Sequence, residues 1–138
     1  MVDRDLILRK LADIDTYVRQ LGEFRGLGVQ EYRSDWKVQR IVDRTLQIAI
    51  EACVDVASHV IADRGFRVPA TYAETFEVLG EQGLLPTELV GRMTRMAAFR
   101  NILVHEYTRV DPVRVIGVLK EQFDDFEAFR TAILSTLT

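Results

Sequence analysis

The sequence predicts an all-α fold, an up-down bundle of four to five helices, and three observations favour it. Apolar residues recur at steps of three and four along most of the 138-residue chain, which is the period of an amphipathic helix. Stretches in which apolar and polar residues alternate are too short for a strand. Glycines and prolines fall between the periodic segments, where short loops can join the helices of a single domain spanning residues 1–138.

The first predicted helix covers residues 5–24, and the second is the long central helix of the bundle. The apolar stripe of the first helix consists of Ile7, Leu11, Ile14, Val18 and Leu21. Three glycines then loosen the chain, Ser34 is expected to cap the second helix, and Trp36 is expected to open its apolar face. That face continues at the same steps for about 25 residues, until Gly65 supplies a left-handed conformation that ends the helix.

Capping signals mark the next two helices. Thr71 and Glu74 match a capping box, which starts a short third helix that runs to about Leu79. A turn over residues 80–86 separates it from the fourth helix. The apolar stripe of the fourth helix continues to about His105, where the helix is expected to end.

The fifth predicted helix begins at Asp111 and Pro112, as cap and first helical residue, and runs on to Leu137. Its three phenylalanines favour core and interface packing over a platform for stacking bases. They are Phe123, Phe126 and Phe129. The acids Asp124, Asp125 and Glu127 are interpreted as a solvated charge run rather than a paired-carboxylate site.

Composition indicates a folded soluble protein, with 48% hydrophobic and 28% charged residues. Charged residues break every long apolar stretch, and the first residues contain no secretory signal, so we expect no membrane span and a cytoplasmic location. Cys53 is the one cysteine and has apolar neighbours, which predicts a buried, unreactive thiol. No histidine or acid cluster has the spacing of metal ligands, so neither metal nor cofactor is expected, and His59 is interpreted as structural.

The net charge of −3 argues against a surface that attracts nucleic acid everywhere, but the charge is unevenly distributed. Between positions 92 and 114 five arginines face two acids, which gives this segment a local charge of +3. The arginines are Arg92, Arg95, Arg100, Arg109 and Arg114. Such a patch suits a phosphate, although a solvated helix face has a similar composition.

Three polar residues at the end of the fourth helix can converge on a phosphodiester. Asn101 and His105 are four positions apart and share a helix face, and Arg100 has a stem long enough to reach across. A guanidinium binds a phosphate, an amide orients it, and an imidazole exchanges a proton near neutral pH. RNA supplies its own nucleophile, the 2′-hydroxyl, so this chemistry requires no metal. A histidine at a helix C-terminus can also be purely structural, because its cation complements the helix dipole.

The string Arg100-Asn101-Ile-Leu-Val-His105-Glu-Tyr107 resembles the Arg-x4-6-His signature of HEPN domains, in which a polar residue follows the arginine. The trailing tyrosine narrows the resemblance to the HepT family. A long preceding helix that reads Leu46-Gln-Ile-Ala-Ile-Glu-Ala-Cys-Val-Asp-Val-Ala57 strengthens it. The resemblance extends over nearly the whole sequence.

The resemblance implies a metal-independent endoribonuclease toxin of a type VII toxin–antitoxin system. Arg100 and His105 would be its catalytic pair, and an MNT-type nucleotidyltransferase antitoxin would silence it by attaching AMP to Tyr107. That adduct would add bulk and negative charge two residues from His105. HEPN domains also pair through a two-fold axis, so a homodimer with a shared active site, or a higher oligomer built from it, is expected.

Several alternatives stay open on the sequence alone. Arg92 and Arg95, with Arg109, are candidates to contact the RNA backbone, but surface decoration explains the first two equally well. The RNA target can be tRNA or mRNA. A non-catalytic helical interaction module that partners a nucleotidyltransferase would keep the same bundle and cleave nothing.

Overall fold

The computed structural model describes residues 3–137, and every regular element in that range is helical. The elements are α1 (Arg4–Gly22), α2 (Val29–Ser34), α3 (Trp36–Arg64), α4 (Tyr72–Glu81), α5 (Thr87–His105), a 3-10 helix (Tyr107–Arg109), α6 (Pro112–Glu121) and α7 (Phe123–Ser135). The predicted all-α class is confirmed. The structure has more helices than predicted because a short helix, α2, precedes the central one and because the last predicted helix is divided into α6 and α7.

The central helix α3 packs against α1, α4 and α5, and ten of its residues are buried. Asp35 caps it, since one carboxylate oxygen accepts from the amides of Lys37 and Val38 at 3.0 and 3.2 Å. The prediction that Ser34 is the cap was wrong, because Ser34 is still helical at the end of α2 and its hydroxyl donates to the carbonyl of Glu31.

The predictions for Trp36 and Gly65, which lie at the two ends of α3, had opposite outcomes. Trp36 is 60% exposed, so the prediction that it opens the apolar face was wrong. Gly65 ends the helix with φ +68°, the left-handed conformation that favours glycine, as predicted.

α3 also has the length and composition of a membrane-spanning helix, with a mean hydropathy of 1.4 over its most apolar 18 residues. Half of that window is buried inside the bundle. Its apolar face therefore forms part of the core.

The capping box of α4 is confirmed on its threonine side. The hydroxyl of Thr71 accepts from the amide of Glu74 at 3.1 Å. The carboxylate of Glu74 accepts from the amide of Ala70 at 3.2 Å rather than from that of Thr71, and it also pairs with Arg67. The helix continues to Glu81, two residues beyond its predicted end.

The predicted fifth helix was wrong in its continuity. α6 begins as expected, because Asp111 accepts from the amide of Val113 at 3.0 Å and Pro112 occupies the first turn. The chain then bends at Gln122, where φ is −111° and ψ is 3°. Before the bend α6 lies against α2, and after it α7 lies against α1 and α5. Because of the bend, the apolar residues of α6 and those of α7 pack against different helices.

The buried apolar residues form one cluster to which all the α-helices contribute. The rings of Phe76 and Phe129 meet edge to face with centroids 5.7 Å apart, and Phe126 is buried in the same core cluster. These contacts confirm that the phenylalanines of α7 serve the core. Cys53 is fully buried, and burial raises the pKa of its thiol, which confirms the prediction of an unreactive cysteine.

Candidate active site

The motif occupies the last two turns of α5. The helix ends at His105, as predicted, because the amide of Glu106 still donates to the carbonyl of Ile102 at 2.9 Å while the next residues turn into the 3-10 helix. Arg100 and Asn101 lie one turn earlier on the same helix. The segment from Arg100 to Tyr107 therefore changes from helix to turn within a few residues, which brings its final side chains to the surface.

Arg100 is held in place from three sides. Its Nε and Nη2 donate to the same carboxylate oxygen of Glu51 on α3, at 2.9 and 2.7 Å, and its Nη1 donates to the side-chain oxygen of Asn101 at 3.2 Å. The guanidinium carbon lies 4.8 Å from the ring centroid of Tyr72 on α4. A guanidinium has five N–H groups, so these contacts use three and leave two for a bound oxyanion.

Glu51 is the fixed counter-charge of Arg100. Burial, the largest single effect, acts to raise the pKa of its carboxyl, but hydrogen bonds from Gln47 and Arg100 and the positive charges of Arg100 and Arg44 together lower that pKa below its ordinary value of 4.5. Glu51 is therefore ionised at neutral pH. The pair is largely shielded from water, with 16% of the Arg100 side chain and 30% of the Glu51 side chain exposed.

The sequence did not point to Glu51, Gln47 or Tyr72 as site residues. A signal existed on α3, where polar side chains recur every four residues beside the apolar face of the helix. This polar stripe consists of Gln39, Asp43, Gln47, Glu51, Asp55 and His59. A stripe of that kind on a central helix indicates polar partners from the neighbouring helices.

The exposed face of α5 presents Asn101 and His105 to solvent. The imidazole of His105 is exposed and forms neither a hydrogen bond nor an ion pair within residues 3–137, and its exposure makes it accessible to a substrate. The structure thus brings Arg100 and Asn101 into contact and leaves His105 one turn away on the same helix, open to water. None of the three is buried in the apolar core.

Tyr107 is 73% exposed and borders a cavity of about 520 Å³, which we call the Tyr107 cavity. This cavity lies between the first half of α3 and the chain that leaves α5. Its lining consists of Gln39, Arg40, Asp43, Arg44, Gln47, Leu103, Tyr107 and Thr108. Gln47 therefore connects the Tyr107 cavity with Glu51 and, through it, with Arg100.

In the folded chain, acidic residues from other helices neutralise part of the positive charge of the segment 92–114. Arg92 donates through Nε to Asp125 on α7 at 2.7 Å, and Arg100 is paired with Glu51. Arg95 and Arg109 are exposed. Two of the five arginines are therefore already matched by carboxylates.

Asp125 is 6% exposed, so its assignment to a solvated charge run was wrong. Its companions Asp124 and Glu127 are exposed, as expected, and lie within ion-pair distance of Arg25 and Arg130. Asp125 differs because it faces Arg92 on α5, a contact between residues 33 positions apart. In the described part of the chain, no group of three or more His, Cys, Asp or Glu side chains could hold a metal ion.

Known proteins resemble this chain over nearly its whole length. The chain is 30% identical over 125 residues to the mRNA nuclease HepT of Shewanella oneidensis, covering 91% of this chain and 93% of that protein. It is 28% identical over 132 residues to the tRNA nuclease HepT of Aphanizomenon flos-aquae, covering 96% and 90%.

A solved structure has the same fold. It is the tri-AMPylated Shewanella oneidensis HEPN toxin in complex with an MNT antitoxin, with a TM-score of 0.88 and 28% identity, and the match covers 96% of this chain and 98% of that one. The sequence profile of the ribonuclease HepT-like family matches residues 14–133. The chain therefore belongs to the ribonuclease HepT-like family, as the resemblance of its Arg100–Tyr107 segment predicted.

Proposed function

We propose that this protein is an endoribonuclease toxin in which Arg100 and His105 are the catalytic pair and Asn101 orients the substrate. The observation that carries the proposal is the anchoring of Arg100. Glu51 fixes its guanidinium while two N–H groups stay unused, one helical turn from an exposed imidazole. A positioned cation beside an accessible general base is the arrangement that phosphodiester cleavage requires.

The proposed reaction is an attack by the RNA on itself. His105 takes the proton of a 2′-hydroxyl, the 2′-oxygen bonds to phosphorus, and the bond from phosphorus to the 5′-oxygen breaks. Arg100 stabilises the negative charge that builds up on the phosphoryl oxygens. The leaving oxygen takes a proton from a second acid, and the products are a 2′,3′-cyclic phosphate and a 5′-hydroxyl. No step calls for a metal ion.

A homodimer supplies the second acid. Exposed or half-exposed residues on α5 recur at alternating steps of three and four, the spacing of a helix-pairing seam. They are Gly91, Thr94, Ala98, Asn101 and His105. The small residues permit close approach of a second α5, and a two-fold axis beside this seam brings both copies of the motif into one cleft. His105 of one protomer then acts as base while the same residue of the second protomer acts as acid.

The proposed partner is an MNT-type nucleotidyltransferase antitoxin, which acts on Tyr107. The Shewanella oneidensis relative is named as a HEPN toxin that is tri-AMPylated and complexed with an MNT antitoxin. In this chain the phenol of Tyr107 is exposed, so its oxygen can attack the α-phosphate of ATP and release pyrophosphate. The adduct adds negative charge and bulk beside His105, where the RNA phosphate has to bind. RNA and ATP place this reaction in the cytoplasm.

Single substitutions test the catalytic pair. Arg100→Ala and His105→Ala are each expected to lower the rate of RNA cleavage by roughly 100-fold or more and to abolish growth inhibition. Arg9→Ala and His59→Ala are matched controls on α1 and α3, and they are expected to cleave normally. If both motif variants fold and retain cleavage, the chain is a non-catalytic interaction module instead.

A further inference from the structure

The Tyr107 cavity contains two arginines that form no salt bridge among the described residues, although the charge of Arg44 also acts on Glu51. Arg40 and Arg44 are exposed and lie four residues apart on α3, so their side chains project from one face of the helix. Among the described residues, neither forms a salt bridge, unlike Arg92 and Arg100. Arg40 instead lies over the ring of Trp36, with its guanidinium carbon 5.3 Å from the ring centroid. Two adjacent guanidiniums that are free of salt bridges can bind a phosphate group.

The remaining walls suit a ribose and a base. Leu103 supplies an apolar surface, and the amide oxygens of Gln39 and Gln47 offer acceptors. The carboxylate in the lining, Asp43, accepts from the hydroxyl of Tyr32 at 2.7 Å. The amide nitrogen of Gln39 already donates to the carbonyls of Tyr32 and Arg33, which fixes the side chain and leaves its oxygen available. At about 520 Å³ the cavity falls within the range of roughly 300–1,000 Å³ that is typical of small-molecule sites.

We propose that the Tyr107 cavity binds one ribonucleotide, with its phosphate on Arg40 and Arg44 and its base against Leu103. This inference rests on the proposed function, because that function supplies two sources of the same chemistry. One is the adenylyl group joined to Tyr107, whose ring borders the cavity. The other is a nucleotide of the RNA strand next to the phosphate that is cleaved.

The cavity lies close to Arg100, so either nucleotide would bind near the proposed catalytic residue. Gln47 lines it and donates to Glu51 at 3.1 Å, and Glu51 holds Arg100. A nucleotide bound there lies two hydrogen bonds from the proposed catalytic guanidinium. An adenylyl group in the Tyr107 cavity therefore occupies the place of an RNA nucleotide, and modification inhibits by competition as well as by added charge.

Titration of the unmodified full-length chain with AMP, followed by calorimetry and by amide chemical shifts, tests the cavity directly. Binding is expected, with shifts concentrated near Gln47 and Tyr107. The double variant Arg40→Gln/Arg44→Gln is expected to weaken AMP binding at least roughly 10-fold, or about 1.4 kcal/mol, because the charge-assisted hydrogen bonds to phosphate are lost. Arg33→Gln, an exposed arginine on α2 outside the cavity, is the matched control and is expected to bind AMP normally.

Two further measurements separate the sources of the nucleotide. If the adenylyl group occupies the cavity, the chain adenylylated at Tyr107 no longer binds free AMP, and its adduct resists phosphodiesterase unless Arg40 and Arg44 are replaced. If an RNA nucleotide occupies it, the double variant raises KM for a short RNA and leaves kcat unchanged. Either result supports the cavity.

Failure of the cavity and failure of the proposed function give different results. Absence of AMP binding to the wild-type chain, or equal affinity in the double variant, would overturn the nucleotide site whatever the nuclease does. AMP binding that depends on the two arginines, in a chain that cleaves RNA equally well after Arg100→Ala and His105→Ala, would keep the site and refute the proposed catalytic pair.

Discussion

The side chain of Arg100 is held in position by residues that are far from it in the sequence. Glu51 lies 49 positions away on α3, and Tyr72 comes from α4. These contacts restrict the rotamers of a long side chain before any substrate binds, which would reduce the entropy lost in the proposed binding of a phosphate. The cost is a half-buried ion pair, which is stable only while both charges are present.

The substitution Glu51→Gln tests how much the ion pair between Glu51 and Arg100 contributes to stability, and how that contribution depends on pH. Because the pKa of Glu51 is lowered in the folded protein, its contribution to stability is present above its ordinary pKa of 4.5 and is lost as the pH falls through the folded value. We expect Glu51→Gln to lower the free energy of unfolding by about 1 kcal/mol at neutral pH. The difference from wild type should shrink below about pH 4.5. Urea unfolding between about pH 3 and pH 7 measures both effects.

The exposed substitution Glu77→Gln on α4 is the control and is expected to leave stability nearly unchanged at every pH. A Glu51→Gln chain as stable as wild type at neutral pH would show that the carboxylate does not hold Arg100.

The residues of the motif could be predicted from the sequence because they lie within eight consecutive positions on one helix end. Their supports could not, since spacing along one helix does not reveal which side chains of other helices they meet. The same reason explains Asp125. Its neighbours in the sequence indicated a solvated run, whereas its partner Arg92 comes from α5.

At the level of elements, α4 and α5 approach closely at Gly80. An added Cβ there would lie 2.6 Å from Cγ2 of Val90, a stiff β-branched side chain on α5. We expect Gly80→Ala to destabilise the protein by about 1–3 kcal/mol through overpacking. Gly117 on α6 is the matched control, because nothing lies within 4 Å of its added Cβ. Gly117→Ala is expected to stabilise by up to about 1 kcal/mol.

Chemical denaturation of the two variants measures this contrast, and Val90→Ala in the Gly80→Ala chain should recover part of the loss because it removes the clashing methyl. Equal effects of Gly80→Ala and Gly117→Ala on stability would mean that Gly80 is not needed for the close packing of α4 against α5.

Helices with strong local signals were predictable and those without them were not. Asp111, Pro112 and Gly65 act on their own backbone, so their effect can be inferred from the residue type. The short helix α2 has six residues, too few to show an apolar period. The bend at Gln122 has neither glycine nor proline to mark it, and it arises because α6 and α7 pack on different helices.

For the whole molecule, the proposed dimer is the feature on which the chemistry depends. Ala98 lies at the centre of the α5 seam and is exposed in the single chain. We expect Ala98→Arg to give a folded monomer, because a long charged side chain prevents close approach of a second α5. Cleavage is expected to fall roughly 100-fold with the loss of the second histidine. Light scattering after gel filtration, with RNA cleavage on the same sample, measures both.

Ala12→Arg, an exposed position on α1, is the control and is expected to remain dimeric and active. A monomeric Ala98→Arg protein with full activity would refute a shared active site.

Identification of the RNA ends after cleavage in the presence of EDTA tests the central claim most directly. Attack by the 2′-hydroxyl, with His105 as the base and Arg100 on the phosphate, predicts a 2′,3′-cyclic phosphate and a 5′-hydroxyl, formed by the wild-type chain and not by His105→Ala. Cleavage that stops in EDTA and returns with Mg²⁺, or that leaves a 5′-phosphate and a 3′-hydroxyl, would contradict it.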